Sequence, residues 1–182
     1  MITYEVSKAD LEYVHSKLKG MEEEAPRALK NAINHTAKKA KKKLAAGAQK
    51  AYTVRSGGFN SEMKTQNATL GRLYAVIRSS GKRLPIAKFR TSAPKSGARA
   101  DIVKTGLKQI LGPNNITAYK RNGKIMQRVS KSRYPVRALR SVSVPTMLEK
   151  VYKGDRGIEG DLAPVIERTL HDEVAAEVAK FI

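Results

Sequence analysis

The chain has no cysteine and no tryptophan, and only 5% of its residues are aromatic. Without cysteine there is no disulfide framework and no thiolate metal site. With so few aromatics, the core must be built from Ala, Val, Ile and Leu, and the 41% hydrophobic content supplies them. No apolar run approaches the roughly 20 residues that cross a bilayer, so no membrane span is expected. The N-terminal MITYEVSKADLEY lacks a basic segment followed by an apolar one, so no secretory signal is expected. A length of 182 residues suits one domain over 1–182.

Acid is scarce where base is plentiful. The formal net charge is +20, and residues 63–148 hold 19 Lys and Arg against Asp101 alone. Residues 1–62 hold 12 basic and 7 acidic side chains, and residues 149–182 hold 5 and 8. A basic middle block between two ordinary ends attracts polyanions and repels its own copies. Two readings stay open: a contact surface for nucleic acid or an acidic partner, and a solvated face that keeps the protein soluble.

Catalytic groupings are missing too. The three histidines, His15, His35 and His171, fall on separate helical stretches, with no second histidine at ligand spacing. There is no H-E-x-x-H, no glycine-rich phosphate loop and no nucleophile elbow. Asp101 is the one carboxylate of the middle block, whereas two-metal phosphodiester chemistry needs several together. No catalytic residue, metal or cofactor is therefore expected, and the protein is read as a non-enzyme.

What is present alternates between helical and extended patterns. ITYEV (2–6) reads as a short strand, and Ser7 as the N-cap of a helix over 8–18. Residues 21–52 carry one small or apolar stripe: Ala25, Leu29, Ile33, Thr36, Ala40, Leu44, Ala48 and Ala51. Pro26 is tolerated if that helix starts near Glu23 or Glu24. Lys38, Lys39, Lys41, Lys42 and Lys43 cover the opposite face, as a solvated or a phosphate-facing surface. Ser56-Gly57-Gly58 ends the helical region.

Beyond it come β-rich runs at 72–80, 100–110, 115–121 and 124–130. Asn122-Gly123 between the last two predicts a tight hairpin. Residues 87–100 are read as an exposed basic loop, with Lys88, Arg90, Lys95 and Arg99 as candidate contacts to phosphate or to an acidic partner. Helices return at 145–154 and after Asp161, a predicted N-cap, with Ile158, Leu162, Ile166, Leu170, Val174, Val178 and Phe181 on one face. The fold class is α+β: N-terminal helices, a compact and mainly antiparallel sheet, and C-terminal helices packed on it.

Two proline-marked segments stand out. They are Arg83-Leu84-Pro85-Ile86-Ala87-Lys88-Phe89 and the run from Tyr134 to Met147, YPVRALRSVSVPTM. The residue before a proline is pushed towards extended geometry, so Leu84, Tyr134 and Val144 are expected extended, with both segments leaving the sheet. They are read as connections or as arms lying on a neighbouring subunit. The candidate contact residues are Leu84, Pro85, Phe89, Pro135, Val136, Leu139, Ser143, Val144, Pro145 and Met147.

These two segments, in this order behind an Ala- and Lys-rich helix, resemble the minor tail protein Z family of bacteriophages and prophages, also called tail completion protein. The family patterns are R-x-L/I-P-I/L-x-x-F and L-P-I-x-x-L/I-x-G-P-S-V-P-x-M. This chain departs from the second in having Ser141-Val142 where the family has Gly-Pro, while Ser143-Val144-Pro145-x-Met147 is shared. The resemblance implies a structural virion protein of the head-proximal end of the tail, assembled in the bacterial host cytoplasm. Its partners would be other tail or head–tail connector proteins, and copies of itself in a ring, commonly hexameric, around a DNA channel. From composition alone, a free-standing, non-specific nucleic-acid-binding protein using the 63–148 block is the alternative.

Overall fold

The structure is a computed structural model and describes residues 2–21, 23–54, 59–154 and 162–182. β1 (Ile2–Glu5) leads into α1 (Lys8–Lys17). The predicted cap is there: the Asp10 N–H donates to Ser7 Oγ at 3.1 Å, and Ser7 Oγ donates to Asp10 Oδ2 at 2.7 Å. α2 (Glu24–Ala51) follows, with Pro26 inside its first turn, where no intrahelical donor is lost. At 28 residues it is about 42 Å long.

The buried face of α2 is wider than the predicted stripe. Ala28, Ala32 and Ala37 are buried beside Leu29, Ile33, Thr36, Ala40, Leu44 and Ala48. Three further alanines let other elements approach from two sides. The first half of α2 packs with α1 and with α4 (Ala163–Val178) around Leu29, Ile33, Leu170 and Val174. The second half packs with α3 (Val144–Lys153) around Leu44, Tyr52, Met147 and Val151. One helix thus serves two cores in series.

The β-rich region forms three small antiparallel sheets where one was expected. Sheet one has the order β1-β3-β2, with β2 at Met63–Gln66 and β3 at Tyr74–Ser79. Sheet two is β4 (Arg90–Ser92), β5 (Arg99–Asp101) and β6 (Lys108–Gln109). Sheet three is β7 (Tyr119–Arg121), β8 (Lys124–Arg128) and β9 (Val136–Ala138). Prolines and glycines at 85, 94, 97, 106, 112 and 113 interrupt the chain before long strands can form. A third core, Ile86, Ala98, Ala100, Ala118 and Ile125, fills the space between sheets two and three. Sheet one and α3 close the core around Phe59, Met63, Ile77 and Phe89.

Several local expectations change. The single run at 100–110 is two strands, because Asp101 Oδ1 accepts the N–H groups of Thr105 and Gly106, each at 3.2 Å, and turns the chain. Residues 87–100 are not one exposed loop. They end a 3-10 turn (Ile86–Lys88), contain β4 and enter β5, and Phe89, Ala98 and Ala100 are buried. At α4 the cap position is Leu162, with no side-chain cap. The predicted Asp161 cap, Ile158 and the Ser56-Gly57-Gly58 stop lie outside the described residues. The hairpin is as predicted: Asn122 and Gly123 take φ 48° and 73°, and Arg121 stands opposite Lys124.

Candidate functional site

The two proline-marked segments, about fifty residues apart in the chain, lie side by side. Leu84 N–H donates to Val142 O at 3.2 Å, Ser141 N–H to Leu84 O at 2.8 Å, and Ile86 N–H to Leu139 O at 3.1 Å. Pro85 stands opposite Arg140. Its missing donor costs nothing there, since the N–H groups on either side already point at the partner segment.

The expectation that both segments leave the sheet is therefore corrected. Residues 136–138 are the edge strand β9, with Arg128 opposite Val136, and 139–142 continue into the pairing with 84–86. Val144 is also not extended. It is the first residue of α3, and Ser143 (φ −85°, ψ 160°) is the extended one, capping the helix through Thr146 N–H. For the buried members the structure fits a connection, not an arm on a neighbouring subunit. Phe89 and Met147 are 0% exposed and Val144 is buried, so all three serve the core. Leu84 packs against that core and Leu139 against the third one. Pro85 and Pro135 are exposed, while Val136, Ser143 and Pro145 are half-buried.

The lysine run on α2 divides. Lys38, Lys42 and Lys43 are exposed and Lys41 is half-buried. Lys39 is engaged with Glu173 of α4. Beside it, His35 Nδ1 lies 3.4 Å from both Glu173 Oε2 and Glu177 Oε1. Asn31 Nδ2 donates to Glu177 Oε2 at 3.3 Å, and Lys180 donates to Oε1. Burial pushes the Glu177 carboxyl up, but these hydrogen bonds, with the Lys180 and His35 charges, outweigh it and hold the group below its ordinary value. His171 turns away from its neighbour Asp172 to Asp10, Nδ1 to Oδ1 at 2.6 Å, and ties α4 to α1. The polar groups of the helical layer thus fasten helices to one another.

On the β side, Lys88, Arg90, Lys95 and Arg99 are all exposed. Arg90 Nη1 is 3.9 Å from Asp101 Oδ2. Asp101 itself is 3% exposed and already accepts two backbone donors, so the one acid of the middle block does little to mask its outer charge.

A further convergence of cations lies on sheet three, and sequence reading missed most of it. Tyr119, Arg121, Arg128, Arg133, Tyr134 and Val136 line a pocket of about 210 Å³. Only Val136 among these was a candidate. The alternation of the hairpin was the signal: strand period two and the Arg121–Lys124 register put Tyr119, Arg121, Lys124, Met126 and Arg128 on one face. Ile125 and Gln127, both buried, point to the other.

Among the described residues no group of three His, Asp or Glu side chains is placed to hold a metal ion, and no helix is long and apolar enough to cross a membrane. The class defined by these features is an α+β protein with a basic β region joined to a helical layer by one long helix. A family model described as prophage minor tail protein Z (GPZ) matches residues 10–182, and the chain belongs to that family. It is thus a minor tail protein of the phage type, with a structural role. Neither the curated proteins nor the solved structures hold a match to it.

Proposed function

We propose that this protein completes the tail at its head-proximal end and joins it to the head, as a closed ring of copies, hexameric by family resemblance, around the DNA channel. The role is mechanical and carries no catalysis. The observation that supports it most is the segregation of charge. Residues 63–148 hold 19 cations against one buried acid, while exposed Glu12, Glu167 and Asp172 stand on α1 and α4. A ring closed by rotation sets unlike surfaces of successive copies against each other, and the basic sheets of one copy can face Glu12, Glu167 and Asp172 of the next, which stand beside the exposed cations Lys8, Lys17 and Arg168. The remaining cations are left for DNA in the channel or for an adjoining connector protein.

Electron microscopy of assembled tails carrying a labelled copy tests this. Label confined to the head-proximal end, with rotational symmetry about the tail axis, is the expected result. Label along the tail tube or at the distal tip overturns it.

A further inference from the structure

We propose that the outer face of sheet three is a binding site for single-stranded nucleic acid, taking one unstacked nucleotide in the pocket formed by Arg121, Arg128, Arg133, Tyr119 and Tyr134. It rests on the reading that the protein works beside DNA, and adds to it a place and a chemical form.

Four observations converge. Arg121 and Arg128 come from adjacent strands and are both exposed, and Arg133 joins them from the turn between β8 and β9. Among the described residues none of the three pairs with a carboxylate, unlike Arg27, Lys39, Arg90, Lys153 and Lys180. No acid among the described residues lines the pocket. Tyr134 is 61% exposed, with the Arg133 guanidinium 5.7 Å from its ring centroid, so an aromatic face and a cation are presented together.

The occupant follows from what each part can recognise. Arginine forks bind phosphate oxygens through two parallel donors. Exposed tyrosine offers a stacking platform for a base. A duplex keeps its bases stacked inside and presents phosphates outside, so it would use the arginines and leave both the tyrosines and the concavity empty. An acidic peptide would likewise use the cations alone. A single strand uses all of them. The lysines of α2 offer charge without an aromatic partner, which makes them the internal comparison.

The test is fluorescence anisotropy of the full chain with a labelled oligothymidylate, a matched duplex and a polyglutamate peptide, over a series of salt concentrations. The single strand is expected to bind most tightly. Arg121→Gln/Arg128→Gln/Arg133→Gln should lower the slope of log affinity against log salt by about 2, at about 0.7 for each phosphate released. Tyr134→Leu should weaken binding about tenfold, and Tyr134→Phe, which keeps the ring, should not. Lys38→Gln/Lys42→Gln/Lys43→Gln removes equal charge and should cost much less. If the triple arginine variant fails to fold, the Tyr134 pair decides alone. Equal losses for the two triple variants overturn the site, as does duplex or polyglutamate binding at least as tight as that of the single strand, or a Tyr134→Leu variant with unchanged affinity. None of these outcomes moves the label on assembled tails, so the tail position stands or falls separately.

Discussion

At the scale of single residues, four positions give outcomes that can be measured. Glu177 is 3% exposed yet held ionised by Asn31, Lys180 and His35. Its pKa is lowered on folding, so it contributes stability above the ordinary glutamate value of about 4.3 and loses it as pH falls through the lower folded value. Glu177→Gln is expected to lower the urea midpoint at neutral pH, with the gap to wild type closing in acid. A gap independent of pH would show that the carboxylate charge is not what stabilises. Gly47 lies inside α2, where alanine would be the better helix former by about 1 kcal/mol. A Cβ there would stand 2.7 Å from Val151 Cγ1, on a stiff and buried side chain. Gly47→Ala is therefore expected to destabilise, by about 1–3 kcal/mol of overpacking, in chemical denaturation. At the departure from the family pattern, the backbone separates two neighbours. Ser141 N–H donates to Leu84 O, whereas Val142 uses its carbonyl and its N–H makes no bond among the described residues. Val142→Pro should be tolerated. Ser141→Pro should cost about 1–3 kcal/mol, because it leaves the Leu84 carbonyl without its donor.

At the scale of elements, α2 shows how one helix can hold a two-part core. Its alanines let α4 approach along the first half and α3 along the second. Lys38, Lys41, Lys42 and Lys43 on its outer side are spectators in folding, whereas Lys39 is engaged with Glu173. Replacing Lys38, Lys41, Lys42 and Lys43 by Gln together should leave the circular dichroism spectrum and the thermal midpoint nearly unchanged. Adding Lys39→Gln should cost at most about 1 kcal/mol, the usual limit for an exposed partner of an ion pair. The helices were legible from the sequence because period, cap and proline placement agreed over many residues, as at Ser7 and Pro26. β2, β4 and β9 were not. At three or four residues each, with polar side chains such as Lys64, Arg90 and Arg137, they carry no alternation that stands out from a loop.

At the scale of the whole molecule, the proposed association is expected to be governed by charge. The proposed ring, with the basic sheets of one copy against the helix acids of the next, should loosen with salt, since rim ion pairs are screened within about 8 Å at physiological ionic strength. Light scattering of the purified chain across a salt series is expected to show smaller species at high salt. Species that grow or hold constant would mean that apolar contacts close the interface. The candidate site was only partly legible on this scale. The basic block was visible as a count, and the proline-marked segments as motifs. Which cations converge was legible only for Arg121 and Arg128, through the hairpin register; that Arg133 and Tyr134 join them depends on how the turn between β8 and β9 folds back.

By itself the sequence determined the helices, the Asn122-Gly123 hairpin, the uneven charge and the two ordered motifs that mark the family. All of these are local: periodicity, capping, turn geometry and composition act within a few turns of the chain. Only the tertiary structure decided that the motif segments pair with each other, that Phe89 and Met147 belong to the core, and that Arg133 and Tyr134 join the hairpin face of Tyr119, Arg121 and Arg128. The first two outcomes come from contacts between segments about fifty to a hundred residues apart, such as Leu84 with Val142 and Leu44 with Met147, where burial outweighs local preference and no local pattern encodes the choice.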